Sequence, residues 1–206
     1  MQMKKHSEAL DRLSLAAAKT IGYITVAPVV AFGVLTMLFL GAQKQFGNLT
    51  HYILALINLT LLPLLAYPIQ LLIPRLRAGG RAVQRKMAFV AAVIGYTLGI
   101  ISAALLHAPK GFWTLYIAYF SSGAVLSFIN KALKIKASGH ACGVAGPILL
   151  CAWYLGGMYF LLLLLIPIVF WARIRQGRHT LRELLLGASV SSVCTCATLL
   201  AAELAH

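Results

Sequence analysis

ASGHACGVAGPILLCAWYLGGMYFLLLLLIPIVFWA, residues 137–172, contains no Lys, Arg, Asp or Glu across its 36 positions. Built as one helix, such a run would measure about 54 Å at 1.5 Å per residue. The hydrocarbon core of a bilayer is only about 30 Å thick. The run therefore has to double back, and Leu155-Gly156-Gly157 is its natural turn. A hairpin returns the chain to the face it left. His140 at its beginning and His179 just beyond its end are thus expected on one side of the membrane.

Working outward, the same length test divides the rest of the chain. Ile21–Ala42 and His51–Ile73 are uncharged and long enough to span, the second with Pro63 and Pro68 inside it. Ala88–Ala108 and Phe112–Asn130 follow, joined at Pro109-Lys110-Gly111, and a last span runs from Leu184 to about Ala202. The fold class implied is all-α, a polytopic integral membrane helical bundle of about seven spans, or six if one is lost. Residues 1–20 read as a cytoplasmic amphipathic tail at the membrane surface. Residues 21–108 hold the N-terminal membrane spans, and residues 109–206 form a core that carries the chemistry. No cleavable signal peptide is expected, because the first apolar run is too long and lacks a small-x-small cleavage site.

Composition supports this division. The chain is 61% hydrophobic and 11% charged, whereas soluble domains are nearer 45–50% apolar and about 25% charged. Little length remains for a separate soluble domain. Only four acids occur, Glu8, Asp11, Glu183 and Glu203, so the carboxylate clusters that hold catalytic magnesium or paired metals cannot be assembled. No metal ligands and no cofactor are expected. The net charge of +14 sits in short segments between spans, the signature of membrane topology rather than of a nucleic-acid face. With the N-terminus inside, only Lys44 and Lys110 fall outside. That orientation places the basic segments, including Arg75–Lys86 and Arg173–Arg182, at the cytoplasmic face of a bacterial or archaeal membrane. One crossing more or fewer among the first three spans would reverse it. Cys142, Cys151, Cys194 and Cys196 are expected to be small buried helix residues, since Cys194 and Cys196 have no second ligand pair.

The chemistry enters at WARIRQGRHTLRELLLG, Trp171–Gly187: Arg173, then His179 six positions on, then Glu183 four beyond. Upstream stands KASGH, Lys136–His140. Together these stretches resemble two of the three signature motifs of the type 2 phosphatidic acid phosphatase superfamily of membrane lipid phosphatases, which includes glucose-6-phosphatase and the vanadium haloperoxidases. The family's third motif reads Ser-Arg, five residues, His, three residues, Asp. Here Ala172 and Glu183 replace its two ends. Its second motif, Pro-Ser-Gly-His, is matched by Ala137-Ser138-Gly139-His140. Its first, Lys, six residues, Arg-Pro, has no intact copy, and Lys131, Lys134 and Lys136 are the candidates to stand in for it. The resemblance covers Phe112 to Ala202.

It implies a metal-independent lipid phosphatase acting through a phosphohistidine. His179 would be the nucleophile, and Glu183 would hold its other ring nitrogen as an acid does in a triad. His140 would protonate the leaving alkoxide and then activate water. Arg173, Lys131, Lys134, Lys136, Ser138 and the backbone of Gly139 would bind the phosphate. Fitting substrates are phosphatidate, phosphatidylglycerol phosphate, and polyprenyl phosphates or diphosphates, with other membrane lipids as neighbours and no nucleic acid. For the remaining arginines, positive-inside anchoring is the simplest role, expected for Arg175 and Arg182. A different class stays open: a non-enzymatic transport or scaffold protein whose basic face binds anionic lipid headgroups. An intramembrane serine protease built on Ser189, and haem ligation, both lack a histidine at mid-span depth.

Overall fold

A computed structural model describes residues 2–205, with side chains from His6 onward; Met1, His206 and the side chains of Lys4 and Lys5 lie outside it. Among the described residues the chain is helical, with no strand. Five helices are long and apolar enough to cross a membrane, and a bent pair makes a sixth. The chain is a membrane protein with transmembrane helices. Its outer surface is correspondingly apolar: Leu98, Ile101, Val125, Leu161, Val193 and Leu200 all face outward.

The first expected span is broken. Helix α1 (Gln2–Ile24) runs four residues into the expected span before it ends, and α2 (Ala27–Gly41) leaves it at 57°. The cause is Pro28 in the first turn of α2, which has no N–H to give and whose ring would clash with the carbonyl four residues back. Val26 is extended as a result. After the short α3 (Gln43–Phe46), α4 (Leu49–Leu56) passes through a widened π turn (Ile57–Leu61) into α5 (Leu62–Leu72). That turn lies just before Pro63, whose missing N–H removes the regular partner of Leu59's carbonyl.

The stretch Arg75–Lys86, expected as a loop, is largely helical. It forms α6 (Pro74–Ala78) and the first turns of α7 (Gly80–Leu105), which starts eight residues before the expected span. Helix α8 (Lys110–Lys131) follows.

The uncharged run folds as its length demands. Helix α9 (Gly139–Leu155) stops at Gly156, and the chain returns through a 3-10 segment (Gly157–Leu164) into α10 (Leu165–Arg175). Gly156 and Gly157 have φ of 64° and 49°, a region in which a side chain is strained. Helix α11 (Leu181–Leu204) closes the chain. With 17 residues α9 is shorter than the five helices long enough to cross, which run from 19 to 26 residues. It is also the most enclosed, with Ala141, Val144, Ala145, Ile148, Leu150 and Cys151 all buried.

Small residues make that enclosure possible, because helices in lipid associate by close backbone approach rather than by hydrophobic expulsion. Gly143 packs on Ala27 of α2, and Gly146 on Ser191 and Thr195 of α11. The Gly146 N–H also donates to Ser191 Oγ at 3.1 Å. Cys142 and Cys151 are buried here as expected. Cys194 is only half-buried and Cys196 is exposed, because α11 turns that stripe outward.

Candidate active site

Two loops at one end of the bundle carry the expected residues, and each is shaped by its own caps. Helix α10 ends in a Schellman arrangement: Gly177 N–H donates to Ile174 at 2.8 Å and Arg178 N–H to Arg173 at 3.0 Å, with Gly177 at φ 63°. Three residues later Thr180 caps α11, its Oγ1 accepting from Glu183 N–H at 3.3 Å. Thr180-Leu-Arg-Glu183 has the spacing of a capping box. Glu183 does not fold back onto the cap, however. Its Oε2 accepts from His179 Nδ1 at 2.7 Å and from Lys136 Nζ at 3.0 Å.

The other loop is fastened at both ends. Asn130, in the last turn of α8, accepts Ala137 N–H at 3.0 Å and donates to Ala137's carbonyl at 3.3 Å. Ser138, fully buried, caps α9 by accepting Ala141 N–H at 3.3 Å. Its own N–H donates to the carbonyl of Glu183 at 2.9 Å. Gly187, nearly two turns into α11, lies flat against the backbone of Ser138, with no room for a Cβ. Segments more than forty positions apart are thereby locked backbone to backbone.

This junction brings Lys136, Ser138, His179 and Glu183 together. His140, on the first turn of α9, bonds to Thr25 at 3.0 Å through Nε2 and lies within electrostatic reach of His179 and Arg173. Arg173 is half-buried, and its Nε is enclosed with no partner among the described residues. Two further guanidiniums, Arg178 and Arg81, lie within electrostatic reach of it, and the neutral phenol of Tyr67 is nearby. A buried donor with no acceptor, surrounded by like charge, favours an anion. Arg81 and Tyr67 lie in segments outside the motifs, and no local pattern marks them in the sequence.

Other expected residues lie elsewhere. Lys131 Nζ sits 5.1 Å above the ring of Phe89, at the rim of an apolar groove between α7 and α8. Lys131 continues the Phe120, Ala124, Ser127 stripe that lines this groove, whereas Asn130 beside it points to the loop. Lys134 is exposed at φ 54° and makes no hydrogen bond or ion pair among the described residues. Of the three lysines, Lys136 alone reaches Glu183. Gly139 is exposed at the first position of α9. Arg175, expected as a membrane anchor, pairs with Asp11 and donates to Ser14 Oγ at 2.9 Å. Arg182 is exposed.

The electrostatics of His179 are a balance. Its side chain is only 12% exposed, and burial pushes its pKa below 6.5, while the hydrogen bond and charge of Glu183 pull it up. Burial prevails, so the ring is neutral at pH 7. Since Nδ1–H faces the carboxylate, the lone pair resides on Nε2.

No protein-family model matches this chain, and comparison with curated proteins and with solved structures returns no match either.

Proposed function

We propose that this protein is a metal-independent membrane lipid phosphatase, related to the type 2 phosphatidic acid phosphatases, which removes phosphate from a lipid phosphate or diphosphate. The observation that carries the reading is the pair His179–Glu183, 2.7 Å apart, joined to the second loop through the Ser138–Glu183 backbone bond at 2.9 Å. A neutral histidine with one nitrogen fixed by an acid and the other free is an activated nucleophile.

In the first step, Nε2 of His179 attacks phosphorus and the bond to the lipid oxygen breaks. His140 supplies the proton that the leaving alkoxide takes up. In the second, water attacks the phosphohistidine, the P–N bond breaks, and His140 takes the proton that water loses. Arg173 neutralises charge on the phosphoryl oxygens, where its unpartnered Nε calls for an acceptor. Lys136, held on Glu183, keeps the carboxylate ionised and brings a further cation to the rim.

The substrate's apolar chains remain in the bilayer and enter laterally, so phosphatidate, phosphatidylglycerol phosphate and polyprenyl phosphates share the required chemistry. The excess of basic residues at the site's end of the bundle favours the cytoplasmic face. The test is phosphate release from a panel of these lipids in detergent, with vanadate as inhibitor, EDTA as metal control and His179→Ala as blank. Vanadate-sensitive, EDTA-resistant release that vanishes in His179→Ala is the expected result. A second reading, a non-enzymatic binder of anionic lipid, is favoured by Arg75, Arg77, Arg81, Arg85 and Lys86, all exposed and none paired with an acid among the described residues. It prevails if lipid is bound but no phosphate is released.

A further inference from the structure

Thr25 stands at the bend between α1 and α2, 115 positions from His140. Its Oγ1 donates to the carbonyl of Ile21 at 2.6 Å and lies 3.0 Å from His140 Nε2. A hydroxyl has one hydrogen. With that hydrogen on Ile21, the oxygen can only accept from the ring, so Nε2 carries the N–H. In the neutral ring Nδ1 then holds the lone pair, and among the described residues it makes no hydrogen bond. His179 is held in the opposite sense, Nδ1–H toward Glu183 and Nε2 free. The two imidazoles are thus locked in complementary tautomers.

We propose that Thr25 is a positioning residue that keeps His140 in its Nε2–H form and so assigns both proton transfers to Nδ1. The proposal rests on the phosphatase reading of the same site. His140 needs such a partner from outside the motifs. The acid of this site, Glu183, is already shared by His179 and Lys136. Thr25 can serve because the end of α1 is fixed against α10. Arg175 holds Asp11 and Ser14, and Gln176 Nε2 donates to the carbonyl of Ala18 at 2.5 Å. Gly22, buried between these contacts and Thr25, lets Gln176 and Arg173 lie against the helix: a Cβ there would meet them at 2.6 and 3.2 Å.

The chemical consequence is that one atom gives and takes the proton. A phosphate monoanion brings one proton into the site, and Nδ1 takes it up on binding; as the lipid P–O bond breaks, the imidazolium Nδ1–H passes it to the alkoxide, and the ring is left neutral in the Nε2–H form. As water attacks the phosphohistidine, Nδ1 accepts the proton water loses, and His179 Nε2 regains its lone pair. The ring need not turn between steps.

The test uses the full chain in detergent, labelled with 15N-histidine, alongside turnover of a lipid phosphate. In wild-type protein the ring signals removed by His140→Gln should show a protonated Nε2 and an unprotonated Nδ1. Thr25→Val should mix the tautomers and lower kcat by about threefold to tenfold, the rate equivalent of one neutral hydrogen bond, with KM little changed. Thr25→Ser, which restores the hydroxyl, should recover both. A wild-type His140 in the Nδ1–H form overturns the proposal, and so does a Thr25→Val protein with wild-type kcat. If the ring signals behave as stated but wild-type protein releases no phosphate from any lipid, the hold on His140 is supported and the phosphatase reading alone falls.

Discussion

Replacing Gly187 with alanine adds one methyl group at the point where the two motif-bearing loops touch. A Cβ at this position would stand 3.0 Å from both the N and the C of Ser138, and closer still to its carbonyl oxygen. These are backbone atoms and cannot rotate away. Ser138 is moreover fixed by Glu183's carbonyl on one side and by its own cap on the other. Either α11 or the loop must move by about 1 Å to regain ordinary contact. Overpacking of this kind costs about 1–3 kcal/mol. For the chemistry, a shift of about 1 Å between reacting groups lowers a rate by about a hundredfold, and here it would separate Ser138 and His140 from His179.

Gly33 provides the matched control. It lies within α2, and a Cβ there would meet nothing within 4 Å. The same exchange at this site should stabilise the helix by about 0.5–1 kcal/mol, because alanine loses less backbone freedom than glycine. Thermal unfolding in detergent reads the first quantity and phosphate release the second. Gly187→Ala should lower both, and Gly33→Ala should raise the first and spare the second. A Gly187→Ala protein with wild-type unfolding and kcat would refute the packed junction on which the site depends.

His179→Ala should abolish turnover and the acid-labile phosphoenzyme seen with 32P-labelled lipid, and His140→Ala should nearly do so; an unchanged rate in the former ends the nucleophile assignment. The ring of His179 must be neutral to attack and burial lowers its pKa below 6.5, so kcat/KM should hold from neutrality to below pH 6.5 and then fall with acid. Linkage has the same sign: the stability gained from the neutral buried ring is present above pH 6.5 and is lost as pH falls through the lower folded value. Glu183→Gln removes the influence that raises this pKa, so its acid limb should move to lower pH while the plateau drops, and Glu183→Asp should fall between Gln and wild type; an acid limb that moves upward contradicts the pairing. Ser191→Ala should cost about 0.6–1.7 kcal/mol in detergent unfolding, the range for an interhelical hydrogen bond in a membrane protein, because it leaves the Gly146 N–H without its partner across the helix boundary.

What the sequence discloses and what it conceals follow from distance along the chain. The hairpin is legible because it needs only arithmetic on an uncharged run. The His179–Glu183 spacing is legible, but the helical face it suggests is not what joins the two: His179 lies just before the cap Thr180, and Glu183, in the first turn of α11, reaches back to it. The break at Pro28 is a local signal, yet an unbroken apolar run outweighs it in any reading by length. The three lysines are harder. Lys131 follows the helical register of α8 into the Phe89 groove, and Lys136 reaches Glu183 through an irregular loop set by Asn130 and Ser138. No periodicity distinguishes them. Thr25, Tyr67 and Arg81 leave no trace at all, because tertiary packing alone sets their place.

That packing also fixes where the motif loops lie relative to the N-terminal helix, whatever the count of crossings. Arg175 reaches Asp11 and Gln176 reaches Ala18, so the N-terminal helix and the motif loops occupy one end of the bundle however the intervening helices are divided. Lys44 and Lys110 mark the other end, where Gly111 packs on the backbone of Gln45. The motif loops are therefore placed beside the N-terminal helix by contact, without appeal to hydropathy.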